Sequence, residues 1–387
     1  MTVRSPARVV ACVDTGVDDA LALAYLLASP DECDLIGVVA GYGNVDEPTA
    51  FANTRLTLDL FGRPDIPVLH GATHPSWADA FIPDAGCAQF HGVDGLGGLS
   101  GRTAASPDTT TVVAARGDDA SHLHSPVVSV GGYRTDDPHA NPAVPVTHGR
   151  SSGIARDHAA HNAHDKRHDD GVGLIIDQVR RYGRDVTILA TGPLTDVDAA
   201  ITRAPDIAPK LRLVMMGGTL TQPGNCWDAV AETNVIQDPE AADRVFHAGA
   251  DVTMIGLDVT HRCLLPRHAA ERWRESGTER GRFLAGLAEF SIAANLEADP
   301  AIFAGGMPLH DPLAAAVALD PTLVTCVDVA MRAETATGDF TGVRGRTTGD
   351  PMGLVTPDAP RTHVALGVDA PRFVDGFTDR LAALCGV

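Results

Sequence analysis

Apolar residues run without interruption from Val9 to Val13, end in Asp14, pass through a small-residue turn at Thr15-Gly16, and resume with helical spacing from Ala20 to Leu27. This is the pattern of a buried parallel strand feeding a helix through a tight turn. The same rhythm recurs along the chain. Leu35–Ala40 reads as a second strand, closed by Gly41-Tyr42-Gly43-Asn44, and Asp46 and Pro48 then open a helix as N-cap and first-turn proline. Pro67-Val68-Leu69 is a short strand, and Leu174, Ile175, Ile176, Val179 and Tyr182 share one helical face. Strands are predicted at Val186–Ala190, Leu211–Met216 and Val252–Leu257. Asp238-Pro239 starts a helix, and two more follow, one after Pro266 and one over Phe283–Leu296. A further apolar helix, Leu313–Leu319, is entered through Gly305–Pro312. Strands near Leu323–Val329 and Val364–Leu366 and a helix from Pro371 to Leu384 complete the set. Alternating strands and helices predict an α/β fold, an open and mostly parallel sheet flanked by helices. Ligands of such sheets gather at the carboxyl ends of the strands, where Asp14 and Asn44 would both lie.

One stretch breaks the rhythm. From about 102 to 170 the chain is rich in Gly, Pro and His, with His122, His124, His139, His148, His158, His161, His164 and His168 showing neither helical nor strand period. A segment of this length without elements of its own reads as a loop-like insertion within one domain spanning 1–387. The His158-His161-His164 spacing would suit a transition metal if helical, although a solvated loop is the simpler reading.

Composition narrows the function. A formal charge of −20 argues against nucleic acid or an anionic membrane as partner. No apolar run is long enough to span a bilayer, and Met1–Arg8 lacks the three-part pattern of a signal peptide. Seven cysteines without C-x-x-C spacing fit reduced thiols in a cytoplasm better than a disulfide framework. With only Lys166 and Lys210 available, chemistry that depends on a lysine has almost no candidates.

Asp14, Asp18 and Asp19 carry the strongest chemical signal. Three carboxylates at one strand end repel one another unless a cation or hydrogen-bond donors sit among them, and a hard divalent ion with oxygen ligands resolves the conflict. First-turn placement in a helix accounts for Asp18 or Asp19, but not for Asp14.

The segment Cys12-Val13-Asp14-Thr15-Gly16-Val17-Asp18-Asp19 resembles the N-terminal signature D-x-D-P-G-x-D-D of the nucleoside hydrolases of the inosine-uridine-preferring type. Three later stretches extend the resemblance: His91-Gly92 to Gly95, Thr191-Gly192-Pro193-Leu194-Thr195-Asp196, and Leu309-His310-Asp311-Pro312. Together they cover nearly the whole chain apart from the insertion.

The resemblance implies hydrolysis of the N-glycosidic bond of ribonucleosides, with inversion, by a Ca²⁺-dependent homodimer or homotetramer. It implies Asp14, Asp19, Asp311 and the Thr191 carbonyl as metal ligands, with Asp14 also the general base. Asp18 and Asn234 would hold the ribose 2′- and 3′-hydroxyls, Asn225 and Glu232 would approach its 5′ end, and Asn44 would support the metal ligands. His310 would protonate the leaving base, with His91 as a mobile second contact. The chain departs from the pattern at Cys12, which replaces an aspartate, at Thr15, which replaces a proline, and at Asp196, which replaces an asparagine. Phe290 and Phe303 stand in the region where the family places tyrosines. Competing readings are a hydrolase of a modified ribosyl compound, a non-catalytic ribosyl- or metal-binding homologue, and Mg²⁺-dependent phosphoryl transfer. The last lacks a Walker loop and a placed lysine.

Overall fold

In the computed structural model, β1 (Ala7–Val13) is the pivot of the sheet. Its side chains alternate between two cores: Val9, Ala11 and Val13 enter one, and Val10 and Cys12 enter the other. A strand apolar on both faces must be covered on both faces, which is why the run showed no polar alternation. The residues described are 5–83, 85–101, 169–226, 230–337 and 342–387. The His-rich segment predicted over about 102–170 lies outside them, apart from the start of one helix.

The chain continues through α1 (Val17–Leu27), β2 (Cys33–Ala40), α2 (Glu47–Leu60), β3 (Val68–His70) and α3 (Ala85–His91). Beyond the segment not described come α4 (Asp169–Tyr182), β4 (Val186–Ala190), α5 (Thr195–Arg203) and β5 (Arg212–Met216). Next are α6 (Thr233–Gln237), α7 (Pro239–His247), β6 (Asp251–Ile255), α8 (Leu257–Thr260), β7 (Leu264–Leu265), α9 (Arg267–Glu275) and α10 (Glu279–Ala298). The remainder is α11 (Pro300–Phe303), β8 (Met307–Pro308), α12 (His310–Leu319), β9 (Val324–Ala333), β10 (Thr347–Asp350), β11 (Thr362–Val368) and α13 (Ala370–Leu384).

The main sheet has the order β10-β9-β11-β6-β5-β4-β1-β2-β3. It is parallel from β11 to β3, while β9 pairs antiparallel with both β11 and β10. Helices α1, α9, α10, α12 and α13 pack on one face and α4, α5 and α7 on the other. Local signals behave as expected: Asp46 and Asp238 cap α2 and α7 by accepting the N–H groups of Thr49 and Ala241. The antiparallel strand β10 was absent from the sequence reading, because Thr347-Thr348-Gly349-Asp350 carries no apolar pattern.

The order reverses between β1 and β4: from β1 the sheet grows to β2 and β3 on one side and to β4, β5 and β6 on the other. A crevice opens at such a switch point, beyond the carboxyl ends of the two strands. Asp14 follows β1 and Thr191 follows β4, so both stand at its mouth.

Candidate active site

Asp14 leaves β1 fully buried, and its Oδ2 accepts the backbone N–H of Asn44 at 2.7 Å. The carboxylate is wedged between two glycines. A Cβ on Gly43 would collide with Asp14 Oδ2, and one on Gly192 would come within 2.9 Å of Oδ1. Oδ1 itself is buried and has no hydrogen-bond partner among the described residues.

Helix α1 starts immediately afterwards and brings Asp18 and Asp19 in its first turn. Asp19 Oδ2 folds back onto the N–H of Gly16 (2.9 Å) and also accepts Asn44 Nδ2 (3.1 Å), while its Oδ1 accepts the Thr191 hydroxyl at 2.6 Å. Asn44 thus touches two of the acids at once, one through its backbone and one through its amide. Asp18 Oδ1 is a second buried carboxylate oxygen without a hydrogen-bond partner.

From far along the chain, the first turn of α12 delivers Asp311, which is 2 % exposed. Oxygens of Asp18, Asp19 and Asp311 lie within 4.8 Å of one another. The tightest triplet therefore contains Asp18, with Asp14 beside it, whereas the resemblance had named Asp14, Asp19 and Asp311. Among the described residues no lysine or arginine pairs with any of the four; His91 Nδ1 approaches Asp18 Oδ1 only to 3.6 Å. Burial, and then their neighbours' charges, push the carboxyls of Asp14 and Asp311 well above the usual range. Asp18 is raised by burial to about 6, and Asp19 is raised by burial and by Asp18. Four crowded acids that can ionise only at high cost favour a positive charge among them. Their donors, with the Thr191 carbonyl at the same strand end, are all oxygen, which suits a hard divalent cation.

The polar wall opposite is built by Asn234 and Glu232. Asn234 Nδ2 donates to the carbonyls of Thr191 (2.7 Å) and Met216 (3.2 Å), leaving its Oδ1 without a partner among the described residues. Glu232 is the N-cap of α6, and its carboxylate accepts the N–H groups of Gly218, Asn234 and Val235. Its first duty is structural, although it remains close enough to Asp311 to raise that residue's pKa. Asn225 is exposed at the rim, where Oδ1 accepts the N–H and hydroxyl of Thr233; it touches none of the acids.

Two histidines close the remaining side. His91 ends α3, so the predicted glycine loop is helical up to this residue. Its Nδ1 accepts the N–H of Val17 at 3.2 Å, and a Cβ on Gly16 would strike that ring. Burial holds its pKa down at about 4. Asp94 braces the loop that follows: its carboxylate accepts the N–H groups of Leu96, Gly98 and Ser100 and the Ser100 hydroxyl. Asn53 ties this loop to the acidic turn by donating to the carbonyls of Thr15 (3.1 Å) and Asp94 (2.8 Å). His310 precedes Asp311, and burial, then His261 and His91, hold its pKa well below the usual histidine range. The His261 ring stands edge-on to His310 (5.6 Å) and to Phe303 (5.5 Å). Phe290 packs against Gly97.

Sequence reasoning did not assign roles to Thr260, His261, Asn53 or Asp94. Asp94 alone carried a signal, as an aspartate opening a run of glycines. The two departures at positions 12 and 196 prove to be neighbours. Burial, and then the Asp196 carboxylate, push the Cys12 thiol well above its ordinary pKa, so it stays neutral.

Fold and site define an α/β enzyme whose acidic, cation-demanding crevice sits at the switch point of a parallel sheet. The model of the inosine-uridine preferring nucleoside hydrolase family matches residues 9–375, and the chain belongs to that family; it is a nucleoside hydrolase. It is 32 % identical over 371 residues to a pyrimidine-specific ribonucleoside hydrolase, RihA, of Klebsiella pneumoniae, covering 95 % of this chain and 96 % of the relative. Among solved structures it resembles a purine-preferring ribonucleoside hydrolase from Gardnerella vaginalis, with TM-score 0.73, 35 % identity, and 98 % and 99 % of the two chains covered. A plant nucleoside hydrolase, PpNRh1, superposes with the same TM-score at 27 % identity, covering 98 % and 99 % of the two chains. No helix among the described residues is long and apolar enough to cross a membrane.

Proposed function

We propose that this chain hydrolyses the N-glycosidic bond of ribonucleosides in a Ca²⁺-dependent reaction, releasing ribose and free base. One observation carries the reading: among the described residues, two buried carboxylate oxygens, Asp14 Oδ1 and Asp18 Oδ1, have no hydrogen-bond partner in a cluster that no lysine or arginine neutralises. Asp14, Asp19, Asp311 and the Thr191 carbonyl would hold the cation. When bound, the cation lowers the pKa of a water molecule and orients it toward the anomeric carbon.

The remaining work falls to the protein's own residues. Asp14 Oδ1, held in place by Asn44 and the two glycines, takes the proton of the attacking water. Asp18, whose Oδ1 is open, and Asn234, whose Oδ1 is open, receive the ribose 2′- and 3′-hydroxyls. Asn225 and Glu232 border the 5′ end. A single displacement without a covalent intermediate inverts the anomeric centre. His310 answers the negative charge gathering on the departing base, with His91 as a second contact from the loop side. The enzyme is read as cytoplasmic and as a homodimer or homotetramer, without nucleic acid or membrane partners.

The relatives act on different bases, so the test is a panel of purine, pyrimidine and modified ribonucleosides, with and without chelator. The expected result is metal-dependent release of reducing sugar that is lost in Asp14→Ala. Ribose binding without turnover, or phosphate release from a sugar phosphate in place of cleavage, would overturn the reading.

A further inference from the structure

Nδ1 of His310 lies 2.8 Å from the hydroxyl of Thr260, a fully buried residue at the end of α8. Among the described residues this hydroxyl has no other hydrogen-bond partner, and the imidazole of His310 has none besides it. A threonine hydroxyl owns one hydrogen and can also accept, and a neutral imidazole donates from one nitrogen and accepts at the other. Were Nδ1 to donate, the threonine hydrogen would be stranded in a buried place, which destabilises the fold. Were the hydroxyl to donate, its hydrogen would be used, and the imidazole hydrogen would sit on Nε2 of a ring that is only partly buried.

We propose that Thr260 donates to Nδ1 and so holds His310 as its Nε2–H tautomer, presenting a hydrogen-bond donor to the departing base. This rests on the ribonucleoside hydrolase reading given above. The surroundings keep Thr260 from turning away. Asp258, two residues earlier, is clamped by the N–H groups of Leu220 and Thr221 and by the Thr221 hydroxyl. His261, the next residue, has its ring set between His310 and Phe303. Oriented by one bond, the imidazole contributes a preorganised dipole where charge develops. In this role His310 stabilises the departing base through Nε2–H and keeps its proton, in place of the proton transfer that the resemblance implies. The electron pair of the C1′–N bond passes to the base, Nε2–H stabilises it there, and the free base takes its proton from water. Thr260 is a positioning residue, acting through His310.

The test compares two leaving groups in wild type, Thr260→Val and Thr260→Ser. One substrate is the best nucleoside of the panel. The other is 4-nitrophenyl β-D-ribofuranoside, whose phenolate departs with little help. Thr260→Val is expected to lower kcat for the nucleoside about 10- to 100-fold, with KM within about twofold of wild type. Its loss on the nitrophenyl riboside should be smaller by a factor of about ten or more, and Thr260→Ser should restore nucleoside turnover. Equal losses on both substrates, no loss on the nucleoside, or a serine variant as poor as valine would overturn the proposal. A wild type that cleaves neither substrate removes the underlying function as well, an outcome distinct from all of these.

Discussion

On the outer surface, carboxylates are answered by arginines: Asp206 by Arg180 at 2.7 Å, Asp65 by Arg63 at 2.9 Å, Asp320 by Arg372 at 3.0 Å. The bonds to Arg63 and Arg180 lower the pKa of Asp65 and Asp206. In the crevice between β1 and β4 the opposite holds. Asp14, Asp18, Asp19 and Asp311 are buried without a lysine or arginine partner among the described residues, and their pKa values all rise. Among the described residues, none of the many arginines stands against these four crowded acids. The difference teaches that the surface pairs are complete within the chain, whereas the crevice is completed only by something that binds to it. Repulsion there is the counterpart of affinity for a cation.

The largest effect should come from removing one of those acids. Asp14→Ala or Asp311→Asn is expected to lower kcat/KM at least about 10³-fold, while surface changes such as Arg180→Ala leave it unchanged in the same ribose-release assay. Equal sensitivity of the two regions would break the comparison.

Next comes calcium removal and pH, read as a thermal midpoint. In chelated protein the crevice acids have raised pKa values, so the folded state binds protons more tightly than the unfolded state. Stability then rises as pH falls from 7 through the Asp18 value of about 6, and is lost again as pH increases. With Ca²⁺ bound the sign reverses, because protons now compete with the ion for the same oxygens. Melting curves between pH 5 and 8, with and without Ca²⁺, should therefore slope in opposite directions.

A smaller effect sharpens the geometry. A Cβ on Gly16 would meet the His91 ring and lie 2.8 Å from Asn44 Nδ2. Gly16→Ala should cost about 10- to 100-fold in kcat/KM, because it displaces two site residues while the acids remain. It should weaken calcium binding far less than removal of one of the acids does. The smallest effect belongs to the exposed pair Arg180–Asp206, whose removal should give no measurable change in melting.

Much of this was legible in the chain. Val9–Val13 and Val186–Ala190 announce themselves because a strand buried on both faces must be apolar throughout, and Asp14 stands out as a charge at the end of one. Asp238-Pro239 and Asp46 betray helix starts through local chemistry alone. What stayed hidden depends on contacts across long separations. Thr260 reads as an unremarkable helix residue until α12, fifty positions later, sets His310 against it. The resemblance places Glu232 near the ribose 5′ end, but nothing in the sequence shows that its oxygens also accept three backbone N–H groups. Cys12 and Asp196, each a departure from the family pattern, are seen to be neighbours only in the fold.

The central claim is that acids from opposite ends of the chain, Asp14 and Asp19 near the start and Asp311 near the finish, share one cation. Calorimetric titration of Ca²⁺ into chelator-stripped protein tests it most directly. One site per chain is expected in the wild type, abolished by Asp311→Asn and untouched by Arg180→Ala. Calcium binding that survives Asp311→Asn, or none in the wild type, would contradict it.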